Sequence, residues 1–539
     1  MNPPDSAPDP AVAAIARTPY AAVRAALLER REIALLDVRE EDPHAQAHPL
    51  FAANLPLARI ELDAYAKLPR RDVPIVTLDD GEGLAELAAR RLIALGYSEV
   101  SVFEGGVRGW AAAGGELFRD VNVPSKSFGE LVEAERHTPS LAAEEVQALI
   151  DSGADAVIVD ARRFDEYQTM NIPGSTSVPG AELVLRIAEL APRPETRVIV
   201  NCAGRTRSII GTQSLVNAGI PNAVAALRNG TIGWTLAGQK LEHGADRRFG
   251  EVSEATRARA AESARAVADR AGVRRTTLAG IDGWARQEGR TSYFFDVRTP
   301  EEYEAGHLPG FRSVPGGQLV QETEMVAPVR GARIVLADSD GVRANMSASW
   351  LAQMGWEVYV VDGADAAEFR ERGGWRAPLP PAPAARRILP ETLSRSLAAG
   401  EDVVILDFTT HANYRKRHIP GAWWALRSQL AEAIKQVPKA SRYVLTCGTS
   451  LLAQYVVAEA QALVDGEVWL LDGGNAAWFA AGLAEEQGET RLASPPIDRY
   501  RRPYEGTDNP REAMQAYLDW EFGLVAQLAR DGTHHFRVI

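Results

Sequence analysis

The sequence predicts an α/β protein built from four tandem modules, each a small doubly wound parallel β-sheet flanked by helices on both faces. Three observations carry this. Four β-rich runs end in aspartate, at Asp37, Asp160, Asp296 and Asp407. Each is followed by a second apolar run ending at Asp79, Cys202, Asp338 and Cys447, which lie 42, 42, 42 and 40 positions further on. A third matching turn then begins at Gly105, Asn229, Gly363 and Gly473, after 26, 27, 25 and 26 more positions. A three-point match at near-constant spacing, four times over, is the mark of an internally repeated domain. Short strands alternating with helical stretches of about ten residues are βαβ crossovers, which make parallel sheets covered on both sides. At 539 residues the chain is too long for one core.

In chain order, the first module (8–118) opens with Leu35-Leu36-Asp37-Val38-Arg39, turns at Asn54-Leu55-Pro56, and closes with Gly105 to Trp110. The second (128–245) repeats this with Ile158-Val159-Asp160-Ala161-Arg162, Ile172-Pro173-Gly174, and Asn229 to Trp234. Its central helix is expected from Ser208 to Ala218, closed by Gly219, with Pro221 barring continuation. A linker helix (250–272) follows, Ala-, Arg- and Glu-rich from Ser253 to Arg270. The third module (276–378) ends at the stiff Pro-rich run Pro378 to Pro383, and the fourth occupies 386–488. The tail (492–539) carries a helical stretch from Pro510 to about Ala529; it reads as a fifth packing element or as the contact of a homo-oligomer.

Composition narrows the function. A net charge of −13 argues against a nucleic-acid footprint, which would be basic. No run approaches the ~18 apolar residues of a membrane span, and Met1 to Pro10 lacks the layout of a signal peptide. Two cysteines 245 positions apart, in different repeats, make neither a disulfide framework nor a zinc site. A cytoplasmic, reducing home follows, with no metal and no cofactor expected. The nine histidines show no ligand spacing, and His534-His535 reads as a solvated tail.

The chemistry concentrates at Cys202. The strand Val198-Ile199-Val200-Asn201 runs into the thiol, then a loop with two arginines, then a helix. A thiol is a good nucleophile only as thiolate, and this corner offers backbone N–H groups, a helix N-terminus and guanidinium charge to lower its pKa. The alternative is a buried structural cysteine. Arg207 suits an anion because a guanidinium presents a fixed fork of donors. Arg205 is either a second anion ligand or a solvated loop residue. Ala203, Gly204 and Thr206 contribute backbone N–H groups, and Ser208 closes the loop.

These residues resemble the rhodanese-like sulfurtransferases. Asp160-Ala161-Arg162-Arg163-Phe164-Asp165-Glu166-Tyr167 matches the family's Asp-x-Arg-x-x-x-Glu-Tyr opening, and Cys202 to Ser208 matches its Cys-x-x-x-x-Arg-Ser loop. Met170-Asn171 departs from it, standing where the family often has Gly-His. The resemblance covers nearly the whole chain as four modules. It implies that the Cys202 thiolate takes the outer sulfur of thiosulfate or a similar donor as a persulfide and passes it to cyanide or a thiol, including a protein acceptor, by ping-pong kinetics. Asp160 and Arg162 read as a structural ion pair. A persulfide carrier whose Cys-less modules dock partners is the alternative. Cysteine phosphatases and arsenate reductases are a further one, but their Cys-x5-Arg loop is one residue wider than Cys202 to Arg207.

The other loops are unequal. Asp79-Asp80-Gly81-Glu82 has no thiol and no arginine, and reads as structural. Asp338-Ser339-Asp340-Gly341-Val342-Arg343 keeps the arginine but has a carboxylate for the nucleophile, expected to sit in the N–H nest as a built-in anion. Cys447-Gly448-Thr449-Ser450-Leu451-Leu452-Ala453 has a thiol but no cation: a weakly reactive thiol, or a second site.

Overall fold

In the computed structural model, which describes residues 14–539, four parallel sheets follow one another along the chain. Met1 to Pro10 and the first residues of the 8–118 module lie outside the described residues. In the second sheet the strand order is Ser140–Leu141, Val224–Leu227, Arg197–Asn201, Ala156–Asp160, Thr176–Ser177, all parallel. The third and fourth sheets repeat this order. The first adds a sixth strand from elsewhere: Val329–Arg330 of the third module pairs antiparallel with Ile33–Asp37.

The β-branched run at 198–200 explains the central strand. Val198 and Val200 face Leu183, Ile187 and Leu215 on one side of the sheet. Ile199 faces Val146, Ile172 and Trp234 on the other. Burial on both faces, worth about 1.5–3 kcal/mol for each such side chain, leaves no polar alternation to read. The strand ends mid-sheet, so the loop beyond it opens at the carboxyl edge where α/β sheets carry their ligands.

The repeated motifs have structural causes. The aspartate ending each first strand is buried, and it pairs with the arginine two residues on: Arg39–Asp37 at 2.6 Å, Arg162–Asp160 at 2.7 Å and Arg298–Asp296 at 2.6 Å. In the fourth module Thr409 stands in place of that arginine, and Asp407 is left with the Thr409 N–H and the Asn475 amide; burial pushes its carboxyl up to about 6. The closing turn clamps the loop. Thr231 and Ile232 donate N–H bonds to the carbonyls of Cys202 and Ala203 at 2.9 and 3.0 Å. At Gly230 (φ +54°) a Cβ would lie 2.3 Å from the Cys202 carbonyl oxygen, so only glycine fits.

The modules are welded together. Trp350 Nε1 donates to Ser214 Oγ at 2.8 Å between the third and second, and Arg427 of the fourth forks onto Glu61 of the first at 2.6 and 2.8 Å. The linker helix runs Glu254–Arg270 with Ser253 as its N-cap.

Two expectations need correction. The tail forms two helices, Arg511–Phe522 and Leu524–Asp531, because the chain turns at Gly523. The C-terminal residues are not solvated: Phe536 packs on Phe51 and Phe128, His535 Nε2 meets the Leu27 carbonyl at 3.1 Å, and Arg537 bonds the Ala271 carbonyl. The tail is a packing element of this chain.

Candidate active site

Cys202 follows directly on Arg197–Asn201 and lies within four residues of the helix Thr206–Asn217. Its Sγ donates to Ser208 Oγ at 3.3 Å, and Ser208 Oγ donates to the Arg205 carbonyl at 2.9 Å, so the serine tethers the thiol to its own loop. Thr231 Oγ1 donates to the Ala203 carbonyl at 3.1 Å. Asn201, the residue before the thiol, donates from Nδ2 to Asp160 Oδ2 at 2.8 Å, tying the strand end to the Asp160–Arg162 pair.

Both arginines differ from expectation. Arg205 is neither solvated nor free for an anion: its Nε and Nη2 bond the two oxygens of Glu130 at 2.7 and 2.9 Å, Nη2 also bonds Glu133, and Nη1 bonds Asn229 at 3.0 Å. The two carboxylate partners come from the helix Val123–Arg136, which no loop motif advertises. Arg207 turns its fork onto Glu166 at 2.7 and 2.9 Å. Its charge holds Glu166 down at about 2 despite burial. Arg207 therefore reaches the thiol by its field, through a bidentate pair that fixes its position.

The thiol itself is 1% exposed. Burial pushes its pKa up, against the Arg207 charge and the Ser208 hydrogen bonds, while the nearby Glu521 adds to the rise. The expected lowering is thus opposed by desolvation in this closed arrangement. The cover is the helix Arg511–Phe522, anchored by Met514, Tyr517 and Leu518 on Ile232. A Cβ on Gly204 would lie 3.2 Å from the Tyr517 ring and 3.4 Å from Glu521 Oε2. Sequence reading missed Glu130, Tyr517 and Glu521 as site residues. The helical stretch after Pro510 was visible, but its target was not.

The other loops behave as their residues dictate. Asp338 accepts from the Gly341 and Ala344 N–H groups at 3.0 and 2.8 Å, and Asp79 accepts from Gly81 and Ala85 at 3.0 Å each. Each carboxylate fills its own nest. Arg343 is spent on Asp340, Glu182 and Glu302. Cys447 is 6% exposed; burial raises its pKa, opposed by the N–H groups of Ala453, Leu452 and Thr449. Its loop lacks a cation of its own, but Arg59 of the first module feels its charge. Among the described residues no group of three or more His, Cys, Asp or Glu side chains could hold a metal ion, and no helix is long and apolar enough to cross a membrane.

Comparison with known proteins matches this architecture. A family model described as the rhodanese-like domain matches residues 21–113, 142–237, 282–364 and 389–481. The crystal structure of a thiosulfate sulfurtransferase from Pseudomonas aeruginosa is 72% identical and superposes with a TM-score of 0.96, covering 97% of this chain and 100% of that one. Among curated proteins, an HTH-type transcriptional regulator of Mycobacterium tuberculosis is 31% identical over 91 residues, 17% of this chain and 39% of its own. An uncharacterized 16.5 kDa protein of Synechococcus elongatus is 48% identical over 46 residues, 8% of this chain and 31% of its own. The chain thus spans about a third of the length of these curated relatives.

Proposed function

Because the chain belongs to the rhodanese-like family, in four tandem copies, we propose that it is a sulfurtransferase moving sulfane sulfur from thiosulfate or a similar anionic donor to cyanide or a thiol, through a persulfide on Cys202. The observation that carries this reading is the Cys202 thiol itself, tethered to Ser208 and set in the field of a half-buried Arg207 at the carboxyl edge of the sheet. The 72% identity to a thiosulfate sulfurtransferase supports the donor class.

In the first half-reaction Cys202 Sγ attacks the outer sulfur of thiosulfate. The Sγ–S bond forms, the S–S bond of the donor breaks, and its electron pair leaves with sulfite. The thiol proton leaves with the product as hydrogen sulfite, so no external oxidant is needed. In the second, cyanide or a thiolate attacks the outer persulfide sulfur and Cys202 departs as thiolate. Arg207, held by Glu166, offsets the negative charge on sulfur in both steps. The Ser208 N–H is a backbone donor to the reacting sulfur, the loop amides of Ala203, Gly204 and Thr206 are assigned to the donor anion, and Arg205 keeps the loop in place through Glu130.

The carrier reading is less well supported, because a partner's thiol would have to reach a sulfur lying 1% exposed beneath Tyr517 and Glu521. Both cysteines are free, consistent with a reducing cytoplasm. Mass spectrometry after thiosulfate treatment tests the proposal: an adduct of roughly +32 Da is expected on Cys202. Cys202→Ser should abolish thiosulfate:cyanide transfer with the fold intact. Turnover in that variant would refute the assignment.

A further inference from the structure

Glu521 is a buried carboxyl that the architecture alone does not require. It sits at 0% exposure near the end of Arg511–Phe522, a helix supplied by the tail rather than by any of the four modules. Its Oε1 accepts from the Tyr517 hydroxyl at 2.8 Å, while its Oε2 is buried without a hydrogen-bond partner. That free oxygen is the one facing the Cys202 loop, 3.4 Å from where a Gly204 Cβ would stand. An orphaned buried oxygen is costly to keep unless something occupies its direction in the working protein.

The surrounding charges are already committed. Lys126, from the helix beneath, is held by Asp120 at 2.6 Å under the rings of Tyr504, Tyr517 and Trp520. Glu130 and Arg205 bond each other, and Arg207 is on Glu166. A dianionic donor reaching Cys202 thus meets no uncommitted guanidinium in the loop. Burial and the Glu130 charge push the Glu521 carboxyl up to about 8, against Lys126, the Tyr517 hydrogen bond and Arg205. A carboxyl buried with no cation on either oxygen favours its protonated form. Because Oε1 is accepting from Tyr517, that proton resides on Oε2, making it a donor aimed at the loop.

We propose that Glu521 is the tail's contribution to the Cys202 site: its Oε2–H holds a sulfonyl oxygen of the anionic sulfane-sulfur donor and positions it for attack. This rests on the Cys202 reading above. As the donor's S–S bond breaks, charge accumulates on sulfite, and the hydrogen bond strengthens where that charge develops. Glu521 keeps its proton throughout, so the atom and electron balance of the half-reaction is unchanged. Ionised, the same group would set a negative charge against the incoming dianion.

The test is the pH profile of kcat/KM for thiosulfate, with single-turnover sulfite release, in the full-length protein and in Glu521→Gln, Glu521→Ala and Cys202→Ser. Measured against the rising limb of Cys202 ionisation that wild type and Glu521→Gln share, wild type should lose activity as pH rises through about 8, where Glu521 deprotonates. Glu521→Gln still donates but cannot ionise, so it should stay within a few-fold of wild type at pH 7 and lack that alkaline decline. Glu521→Ala should fall about tenfold at pH 7, the loss of one hydrogen bond to a charged group. The proposal is overturned if Glu521→Gln keeps the decline or Glu521→Ala matches wild type. If alanine loosens the tail, as a lowered Tm would show, the glutamine profile decides alone. Sulfite release by Cys202→Ser would instead sink the Cys202 reading. A silent Cys202→Ser beside an unaltered glutamine profile overturns only the role of Glu521.

Discussion

Replacing Arg207 by methionine tests the field reading of the site most directly. The guanidinium is half-buried, with a side chain 13% exposed, and makes both of its terminal bonds to Glu166, whose side chain is 24% exposed. Glu166 is held at about 2 against an ordinary value of 4.5. A difference of roughly two pK units corresponds to about 3 kcal/mol. The folded pKa is depressed, so this stabilisation is present above the unfolded value and is lost as pH falls through about 2. Arg207→Met leaves a half-buried carboxylate without its fork and should cost ~2–3 kcal/mol at pH 7, a difference from wild type that disappears only below about pH 2. Arg207→Met combined with Glu166→Gln should recover at least half of it. Because the fork is on Glu166, the kinetic loss should appear in thiol ionisation: kcat/KM falls at least tenfold at pH 7 and its optimum moves alkaline, with KM for thiosulfate changed less. Urea denaturation in a double-mutant cycle and thiosulfate:cyanide kinetics measure both. Equal destabilisation in the single and double variants would refute the pairing argument. A large rise in KM with an unmoved pH profile would place Arg207 on the donor.

Other outcomes follow from the unequal modules. Cys447→Ser should leave most thiosulfate:cyanide activity, since that loop has no cation of its own; a loss matching Cys202→Ser would make the two thiols a relay. Asp407→Asn should stabilise the fourth module above pH 6, because its carboxyl, raised by burial to about 6, favours the folded state only while protonated. Asp160→Asn should do the opposite, since it strands Arg162 in the interior; thermal denaturation at pH 5 and 8 separates the two, and equal signs would contradict the account. Asp338→Cys in a Cys202→Ser background should remain silent toward thiosulfate. Asp340 bonds the Val342 and Arg343 amides as well as the Arg343 side chain, so the introduced thiol should titrate above free cysteine. A persulfide on that introduced thiol would show that Asp340 does not block the cradle.

The repeat was legible because its three anchor points are local. An aspartate bonding an arginine two residues on, a loop of set length, and a turn whose N–H groups clamp that loop all keep their spacing when the module is copied. The strands were legible for the same reason: Val198, Ile199 and Val200 are buried on both faces and read as one apolar run. What stayed hidden crosses modules. Val329–Arg330 joins the first sheet through backbone bonds that leave no side-chain signature, and Arg427 finds Glu61 some 366 positions away. The histidines at 534 and 535 looked polar and terminal, hence solvated; the apolar residues beside them, Phe536 and Ile539, decide their place instead.

The same division runs through the site. Cys202, Arg207 and Ser208 were visible as a loop pattern, and the sequence marked the thiol as the chemistry-bearing residue type. It could not show that both guanidiniums are already paired, because Glu130 and Glu166 lie 75 and 41 positions upstream on separate helices. Two arginines beside a thiol look like an anion trap when counted along the chain. With their partners in place they are a rigid, nearly neutral frame that still imposes a positive field on sulfur. A frame of this kind has few spare donors for a dianion, so the remaining polarity must come from whatever covers the loop. In a single module that cover would be solvent. Here it is the helix after Pro510, which packs Tyr517 against Ile232 and brings Glu521 over Gly204. The donor's environment is therefore set by residues more than 300 positions from the thiol, and a change in the tail should alter donor preference without touching the loop.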